Sequence, residues 1–245
     1  MKITIITVVY NGVNEIEATI QSVLSQDFKN IEYFVIDGGS SDGTNDVILK
    51  YQDKISYYIS EKDNGMYDAL NKGVKRATGE WIGILNCGDL FCDEHVLTNM
   101  FCKPIEKQIG VVYGDCNEID GDKTIYHPAS EPIEGSKVPP TYRHGASFIR
   151  NEVHKRFLYD LSSKALYGYG LDYLQIYTMN KNFVQFKHIP VLVLNYKKEG
   201  LSNNGWRNKY NIALIENEGK KNIKFVCKYT ISILAALFRR VSNFL

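Results

Sequence analysis

Three apolar runs near the start of the chain end in polar, glycine-rich turns, and this repetition constrains the fold more than any other feature. Ile3 to Tyr10 comes first, Ile31 to Asp37 leads into Gly38-Gly39-Ser40-Ser41-Asp42-Gly43-Thr44, and Ile82 to Asp89 closes on Asn86-Cys87-Gly88-Asp89. Helical signals lie between them. Asn14 with Glu17 three residues on resembles a capping box, and Ile16, Ile20, Val23 and Leu24 then recur at helical spacing. A helix is expected around Asp46 to Tyr51, a strand over Ile55 to Ser60, and a longer helix opened by Asp63 or Asn64 and closed by Gly79. On that helix Tyr67, Leu70, Val74 and Ala77 share one face, while Asp68, Asn71, Lys72 and Lys75 share another. Alternating strands and helices predict an α/β fold, and ligands of such sheets bind beyond the carboxyl ends of the strands. The pattern is that of a nucleotide pocket.

The 245 residues, 44% of them hydrophobic, can supply the core of one large domain or two small ones. A formal net charge of +1 gives no global basic field and argues against a protein that grips nucleic acid through its phosphates. Five cysteines without a C-x-x-C pair indicate neither a zinc knuckle nor a disulfide framework, so a reducing cytoplasm is the simplest compartment. Met1-Lys2-Ile3-Thr4 enters a strand pattern directly, without the layout of a signal peptide. No G-x-G-x-x-G follows the first strand, so NAD is not expected.

From about residue 110 the signals become irregular. Ile109 to Tyr113 reads as a strand, and Tyr126 to Tyr142, which holds four of the six prolines, reads mostly as loop. A helix over Asp172 to Met179 and a strand over Phe183 to Tyr196 precede a glycine-bearing loop, Lys197 to Arg207. In the last forty residues Lys220, Lys221, Lys224, Lys228, Arg239 and Arg240 flank apolar residues such as Phe225, Val226 and Ile231, which fits a basic amphipathic helix. Such a tail lies on a membrane surface, packs on the core, or packs on a second copy in a homodimer. Its longest apolar stretch, Tyr229 to Phe238, is about half of the roughly 20 residues a spanning helix requires.

The strand-end turns carry the candidate chemistry. Asp37 with Gly38 and Ser40 can set a carboxylate against a base or ribose while glycine lets the backbone approach; an ordinary capped strand-to-helix turn explains the same residues. Glu61-Lys62-Asp63-Asn64-Gly65 can contact a ligand at a helix start, or simply cap it. Asn71 and Lys72 belong either to the pocket or to a solvated face, since Asp68 and Lys72 have ion-pair spacing. Asp89, following a buried strand, needs solvent, a donor or a cation, and is a candidate ligand for Mg²⁺ or Mn²⁺ held jointly with substrate phosphates. Asp172 opens a helix amid aromatics and glycines, where it serves as a general base or as an N-cap. His144 is a candidate contact for acceptor or phosphate.

Taken together, Thr7-Val8-Val9-Tyr10-Asn11, the Asp37 to Thr44 turn, Glu61 to Gly73 and Leu85 to Asp89 resemble family 2 glycosyltransferases of the GT-A fold, over roughly residues 1 to 205. The resemblance implies a Rossmann-like mixed central sheet flanked by helices, with a nucleotide-sugar-binding half over 1–115, an acceptor-binding half over 116–205 and a helical tail over 206–245. It implies that Thr7, Val9, Asn11, Gly38, Ser40, Asn71, Lys72 and Asn86 line the donor, that Asp37 reads the base, and that Asp63 lies near base or ribose. Asp89 would then be the surviving carboxylate of the Asp-x-Asp metal motif, with Asn86 and Gly88 standing where carboxylates are often found. Asp172 falls where the family places its base, and Gly200-Leu201-Ser202 resembles a loop often found just beyond it. The implied activity is inverting transfer from a nucleotide diphosphate sugar, a UDP-sugar foremost, to a saccharide or polyprenyl-linked saccharide acceptor of bacterial surface polysaccharide synthesis. The alternatives are a sugar nucleotidyltransferase, whose basic pyrophosphate loop is missing after the first strand, and a non-catalytic sugar-nucleotide-binding module.

Overall fold

A computed structural model describes residues 1–198 and 205–231. Ile3–Val9 (β1) is buried at all seven positions, as a central strand covered on both faces should be. Ile3, Ile5 and Val9 pack with Ile16–Leu24 (α1), whereas Ile6 and Val8 pack with Met66–Arg76 (α3), so the strand pleat divides the core into two layers. Ile31–Asp37 (β2), Tyr57–Ser60 (β3) and Trp81–Ile84 (β4) join β1 in parallel, with Thr44–Leu49 (α2) between β2 and β3.

The other half of the sheet mixes strand directions. Leu90–Phe91 (β5) and Val96–Met100 (α4) lead to Ile109–Asp120 (β6), which forms a hairpin with Lys123–His127 (β7). Ser147–Arg150 (β8) runs antiparallel to both β4 and β6, and Gln185–Lys197 (β9) runs parallel to β6. Among the described residues the strand order is β3-β2-β1-β4-β8-β6-β9-β5, with β7 on the side of β6. Asn151–Arg156 (α5), Lys164–Tyr167 (α6), Leu171–Lys181 (α7) and Gly205–Glu216 (α8) complete the chain order, and 223–231 is also helical. The order 3-2-1-4 reverses between β1 and β4, which opens a crevice at their carboxyl ends.

Several local expectations change. No side chain caps α1: Glu15 occupies the N-cap position, and the Gly12 carbonyl instead accepts from the Glu15 and Ile16 amides at 3.0 and 2.9 Å. Gly65, at φ 104°, precedes α3, where neither Asp63 nor Asn64 acts as the cap. Tyr126 and His127 belong to β7 rather than to the proline-rich loop, because β6 is long enough to template a partner. Gly200-Leu201-Ser202 and the tail beyond residue 231 lie outside the described residues.

Candidate active site

The turn after β2 is tied to the turn after β1 by four hydrogen bonds. The Asn11 amide donates to Ser40 Oγ at 2.7 Å, Gly12 to Thr44 Oγ1 at 2.9 Å, Val13 to Asp42 Oδ2 at 3.1 Å, and the Ser41 amide to Asn11 Oδ1 at 2.9 Å. The Gly38 amide donates to the Val9 carbonyl at 2.9 Å, so Val9, Asn11, Gly38 and Ser40 form one rigid lip of the crevice. Asp37 does not offer its carboxylate to that crevice. It is fully buried, and its oxygens accept from the Gly39 and Ser40 amides at 3.0 and 2.9 Å, from Ser60 Oγ at 2.5 Å and from Ser40 Oγ. Asp37 therefore builds the turn, which corrects its expected role as reader of the base. Thr7 is corrected likewise: it is fully buried, and its hydroxyl accepts from Tyr33 at 3.1 Å.

A different carboxylate stands at the lip. A Cβ at Gly38 would lie 2.8 Å from Asp63 Oδ2, so the absent side chain makes room for Asp63, whose other oxygen accepts from the Gly65 amide at 2.7 Å. Asn71 is not at the lip. Its side chain is buried and clamps the backbone of Tyr159, donating to the carbonyl at 2.9 Å and accepting from the amide at 3.0 Å, so both ends of the amide are committed to the fold. Lys72 pairs with Glu61 at 2.7 Å and with Asp68 at 3.8 Å, and the Glu61 bond holds its ammonium above the usual lysine range.

Hydrogen bonds from Leu85 and Cys87 amides to the Ile6 and Val8 carbonyls, at 3.0 and 3.2 Å, carry the chain on beside β1 and deliver Asn86 to Asp89 to its end. Asp89 is half-buried, and burial pushes its carboxyl up to about 7 while the Arg143 guanidinium and the Asn86 amide favour the charged form and Glu15 opposes it. Asn86 Oδ1 is buried with no hydrogen-bond partner. A Cβ at Gly88, where φ is 93°, would lie 3.2 Å from Glu15 Oε2, and Glu15 in turn pairs with Lys197 at 2.8 Å. Among the described residues no three His, Cys, Asp or Glu side chains are grouped to hold a metal. The orphaned Asn86 oxygen beside Asp89 nonetheless fits a hard cation that draws its remaining ligands from phosphates and water. The Cys87 thiol, pushed up to about 12 by burial, is no nucleophile.

Across the crevice, Asp172 is the second residue of α7, in its first turn, with Gly170 at the N-cap. Asp172 Oδ1 accepts from the Tyr173 amide at 2.8 Å. Four aromatic side chains from distant segments crowd it. The Tyr67 hydroxyl donates to the Tyr169 carbonyl at 2.7 Å, and the phenol is raised far above its usual range by burial and by the Asp172 charge. Tyr159 OH meets His144 Nε2 at 2.8 Å, and burial keeps His144 below the usual imidazole range against the pull of Asp172. Tyr142 stacks on Tyr113 at 4.2 Å, feels the Asp172 charge, and has a buried hydroxyl with no partner. Sequence reasoning placed Asp172 and named His144 but missed Tyr142 and Tyr159, for which no local signal exists. The site thus has a polar lip at the β1 end, a carboxylate and orphaned amide at the β4 end, and a half-buried carboxylate, Asp172, among aromatic side chains.

This sheet, with its parallel half, its mixed half and the crevice between, is that of the GT-A glycosyltransferases. Staphylococcus aureus TarS residues 1–349 in complex with UDP-GlcNAc superposes with a TM-score of 0.64 at 17% identity, covering 93% of this chain and 69% of that one. The mannosyltransferase PcManGT of Pyrobaculum calidifontis, in complex with GDP-Man and Mn²⁺, superposes with a TM-score of 0.65 at 15% identity, covering 96% and 75%. Residues 4–166 match the profile of Glycosyl transferase family 2, and the chain belongs to that family. It is 36% identical over 132 residues to an uncharacterized glycosyltransferase of Rickettsia typhi, across 54% of this chain and 37% of that protein, so the chain spans little more than a third of that relative's length.

Proposed function

We propose that the enzyme is an inverting glycosyltransferase that moves a sugar from a nucleotide diphosphate sugar, a UDP-sugar foremost, to a hydroxyl of a saccharide or polyprenyl-linked saccharide in bacterial surface polysaccharide synthesis. The observation that carries this reading is the pairing of a polar strand-end lip, with Asn11, Ser40 and Asp63, with a caged carboxylate, Asp172, on the far wall. In this reading residues 1–115 hold the donor, 116–205 face the acceptor, and 206–245 form a tail. Val9, Asn11, Gly38, Ser40, Asp63 and Asn86 line the donor. Asp172 accepts the proton of the acceptor hydroxyl as that oxygen bonds to the anomeric carbon, on the face opposite the departing diphosphate. One displacement without a covalent intermediate inverts the anomeric centre. Asp89 and Asn86 Oδ1 would hold Mn²⁺ or Mg²⁺, which supplies charge stabilisation to the leaving diphosphate when bound.

General-base assistance is worth about 10²–10⁴-fold, so Asp172→Asn is expected to lose that much turnover while binding UDP as the wild type does. UDP release from a panel of UDP-sugars measures the first and calorimetric titration the second. Turnover within a few-fold of wild type removes Asp172 as the base.

The tail supports a further part of the reading, contact with the cytoplasmic face of a membrane. Among the described residues no helix is long and apolar enough to cross one. In 223–231, however, Ile223, Val226 and Ile231 are 81%, 57% and 65% exposed beside Lys224 and Lys228. Apolar side chains set among lysines suit an anionic lipid surface. Flotation with anionic liposomes that is unchanged by Ile223→Asp with Val226→Asp removes this contact.

A further inference from the structure

The donor lip and Asp172 belong to different halves of the chain, and α3 is an element that touches both. The amide of its N-cap, Gly65, donates to Asp63 Oδ1 at 2.7 Å, which ties the start of the helix to the lip. From there α3 reaches the segment that leads into α7 at three points. Lys164 Nζ donates to the Asn64 carbonyl at 2.6 Å, the Tyr67 hydroxyl donates to the Tyr169 carbonyl at 2.7 Å, and one turn further on Asn71 holds both backbone groups of Tyr159. The Tyr67 bond falls nearest Asp172. Tyr169 directly precedes Gly170, the N-cap of α7, which has no side chain with which to cap the helix. The first amides of a helix find no partner within it, and those of Leu171 and Asp172 face the Tyr67 oxygen, where they favour the phenolate against the burial and the Asp172 charge that raise the phenol. Tyr67 is 3% exposed with its ring against that of Tyr159 at 5.3 Å, so the hydroxyl is held in place.

We infer that Tyr67 is a positioning residue for the base: its hydroxyl fixes the first turn of α7, and with it the Asp172 carboxylate, at a set distance from the donor lip. The inference rests on the reading of Asp172 as base given above. A base acts over a hydrogen-bond length of about 2.6–3.2 Å, and a misplacement of about 1 Å can cost about 10²-fold in rate. The bond that Asp172 Oδ1 accepts from the Tyr173 amide at 2.8 Å is local to the turn and moves with it. Other bonds from α7, such as Gln175 Nε2 to the Phe157 carbonyl at 2.6 Å and the Tyr173 hydroxyl to Glu216 Oε1 at 2.7 Å, run to the second half of the chain. The Tyr67 bond runs to the donor half and sets the register between the two.

Tyr67→Phe keeps the ring and deletes the hydroxyl, and UDP release from the panel of UDP-sugars, with water as acceptor, reads the effect. Turnover should fall by about tenfold or more, while KM for the UDP-sugar and the calorimetric affinity for UDP stay within twofold. Because Tyr67 acts through Asp172, the two substitutions should not add: in Asp172→Asn, the further change Tyr67→Phe should lower turnover by less than twofold. Hydrogen exchange at the amides of residues 171–174 should quicken in Tyr67→Phe. A variant that loses thermal stability alone, with wild-type kcat and KM at a temperature where it is folded, overturns the inference, and so does exchange at 171–174 that keeps its wild-type rate. A full tenfold loss on top of Asp172→Asn overturns it as well, since Tyr67 would then act by another route. Asp172→Asn that turns over like wild type removes the base reading and the positioning role with it, whereas a slow Asp172→Asn beside a fast Tyr67→Phe removes the positioning role alone.

Discussion

Replacing Asn71 by alanine separates a structural clamp from a ligand contact. Asn71 is 6% exposed, and its amide closes a two-bond ring with the Tyr159 backbone at 2.9 and 3.0 Å across 88 residues of chain. A hydrogen bond contributes about 0.5–1.5 kcal/mol net, and a buried group left unpaired costs about 1–3 kcal/mol. Alanine removes both bonds and strands the Tyr159 N–H and C=O, so a loss of about 2–5 kcal/mol is expected. At about 2–4 °C per kcal/mol for a domain of this size, the melting temperature should drop by roughly 4–20 °C. Lys72→Ala is the control on the same helix, since an exposed pair like Lys72–Glu61 is worth at most about 1 kcal/mol. Urea denaturation gives the stabilities, and UDP titration well below the melting range gives the affinity, expected within about twofold of wild type. An Asn71→Ala protein as stable as wild type, with UDP affinity down tenfold, would refute the clamp and return Asn71 to the donor site.

Two further outcomes follow from buried groups. His154 is fully buried with both ring nitrogens unpartnered, and burial holds it down to about 3; the unfolded chain takes up a proton below about 6.5 and the folded one does not, so stability falls as pH drops, by about 1.4 kcal/mol per unit below the unfolded pKa. His154→Leu should be more stable at pH 7, and the wild-type minus variant difference, followed by urea denaturation from pH 7 to pH 5, should widen as pH falls; a constant difference contradicts the assignment. Gly38→Ala sets a methyl group 2.8 Å from Asp63 Oδ2 and should weaken UDP binding by displacing that carboxylate, whereas unchanged affinity would take Asp63 out of the pocket.

The sheet's parallel half was legible because β1, β2 and β4 are apolar runs that end abruptly, and a strand buried on both faces leaves such a run. Strand ends also marked where the polar turns of the lip would gather. What the sequence did not reveal is which polar groups the fold uses up internally. Asn71 shares a helical face with Asp68 and Lys72 by spacing, but spacing does not say that Tyr159 will pack there. Asp37 looks the same in sequence whether it reads a base or collects the amides of its own turn. The cage around Asp172 draws on Tyr67, Tyr142, His144 and Tyr159, and only the folded chain brings these together. Proline-rich composition hid β7 for a related reason, since its strand character comes from pairing with β6 rather than from its own residues.

Gly88, which stands where the family often has a carboxylate, and Gly38 at the other strand end share one physical explanation. Gly38 and Gly88 each lack a side chain, and in each case a carboxylate from elsewhere fills the space: Asp63 Oδ2 at 2.8 Å from the position of a Cβ on Gly38, Glu15 Oε2 at 3.2 Å from one on Gly88. Acidic character at the two strand ends is thus a property of the pocket and not of the motif, and counting carboxylates along the motif underestimates it. The two replacements are not equivalent. Asp63 keeps one oxygen at the lip, whereas Glu15 is tied to Lys197 at 2.8 Å, so much of its charge is already answered. At the β4 end Asp89 therefore remains the carboxylate that a cation would meet first. Its partner there is the Asn86 oxygen, and Arg143 is close enough to oppose the protonation that burial alone would favour.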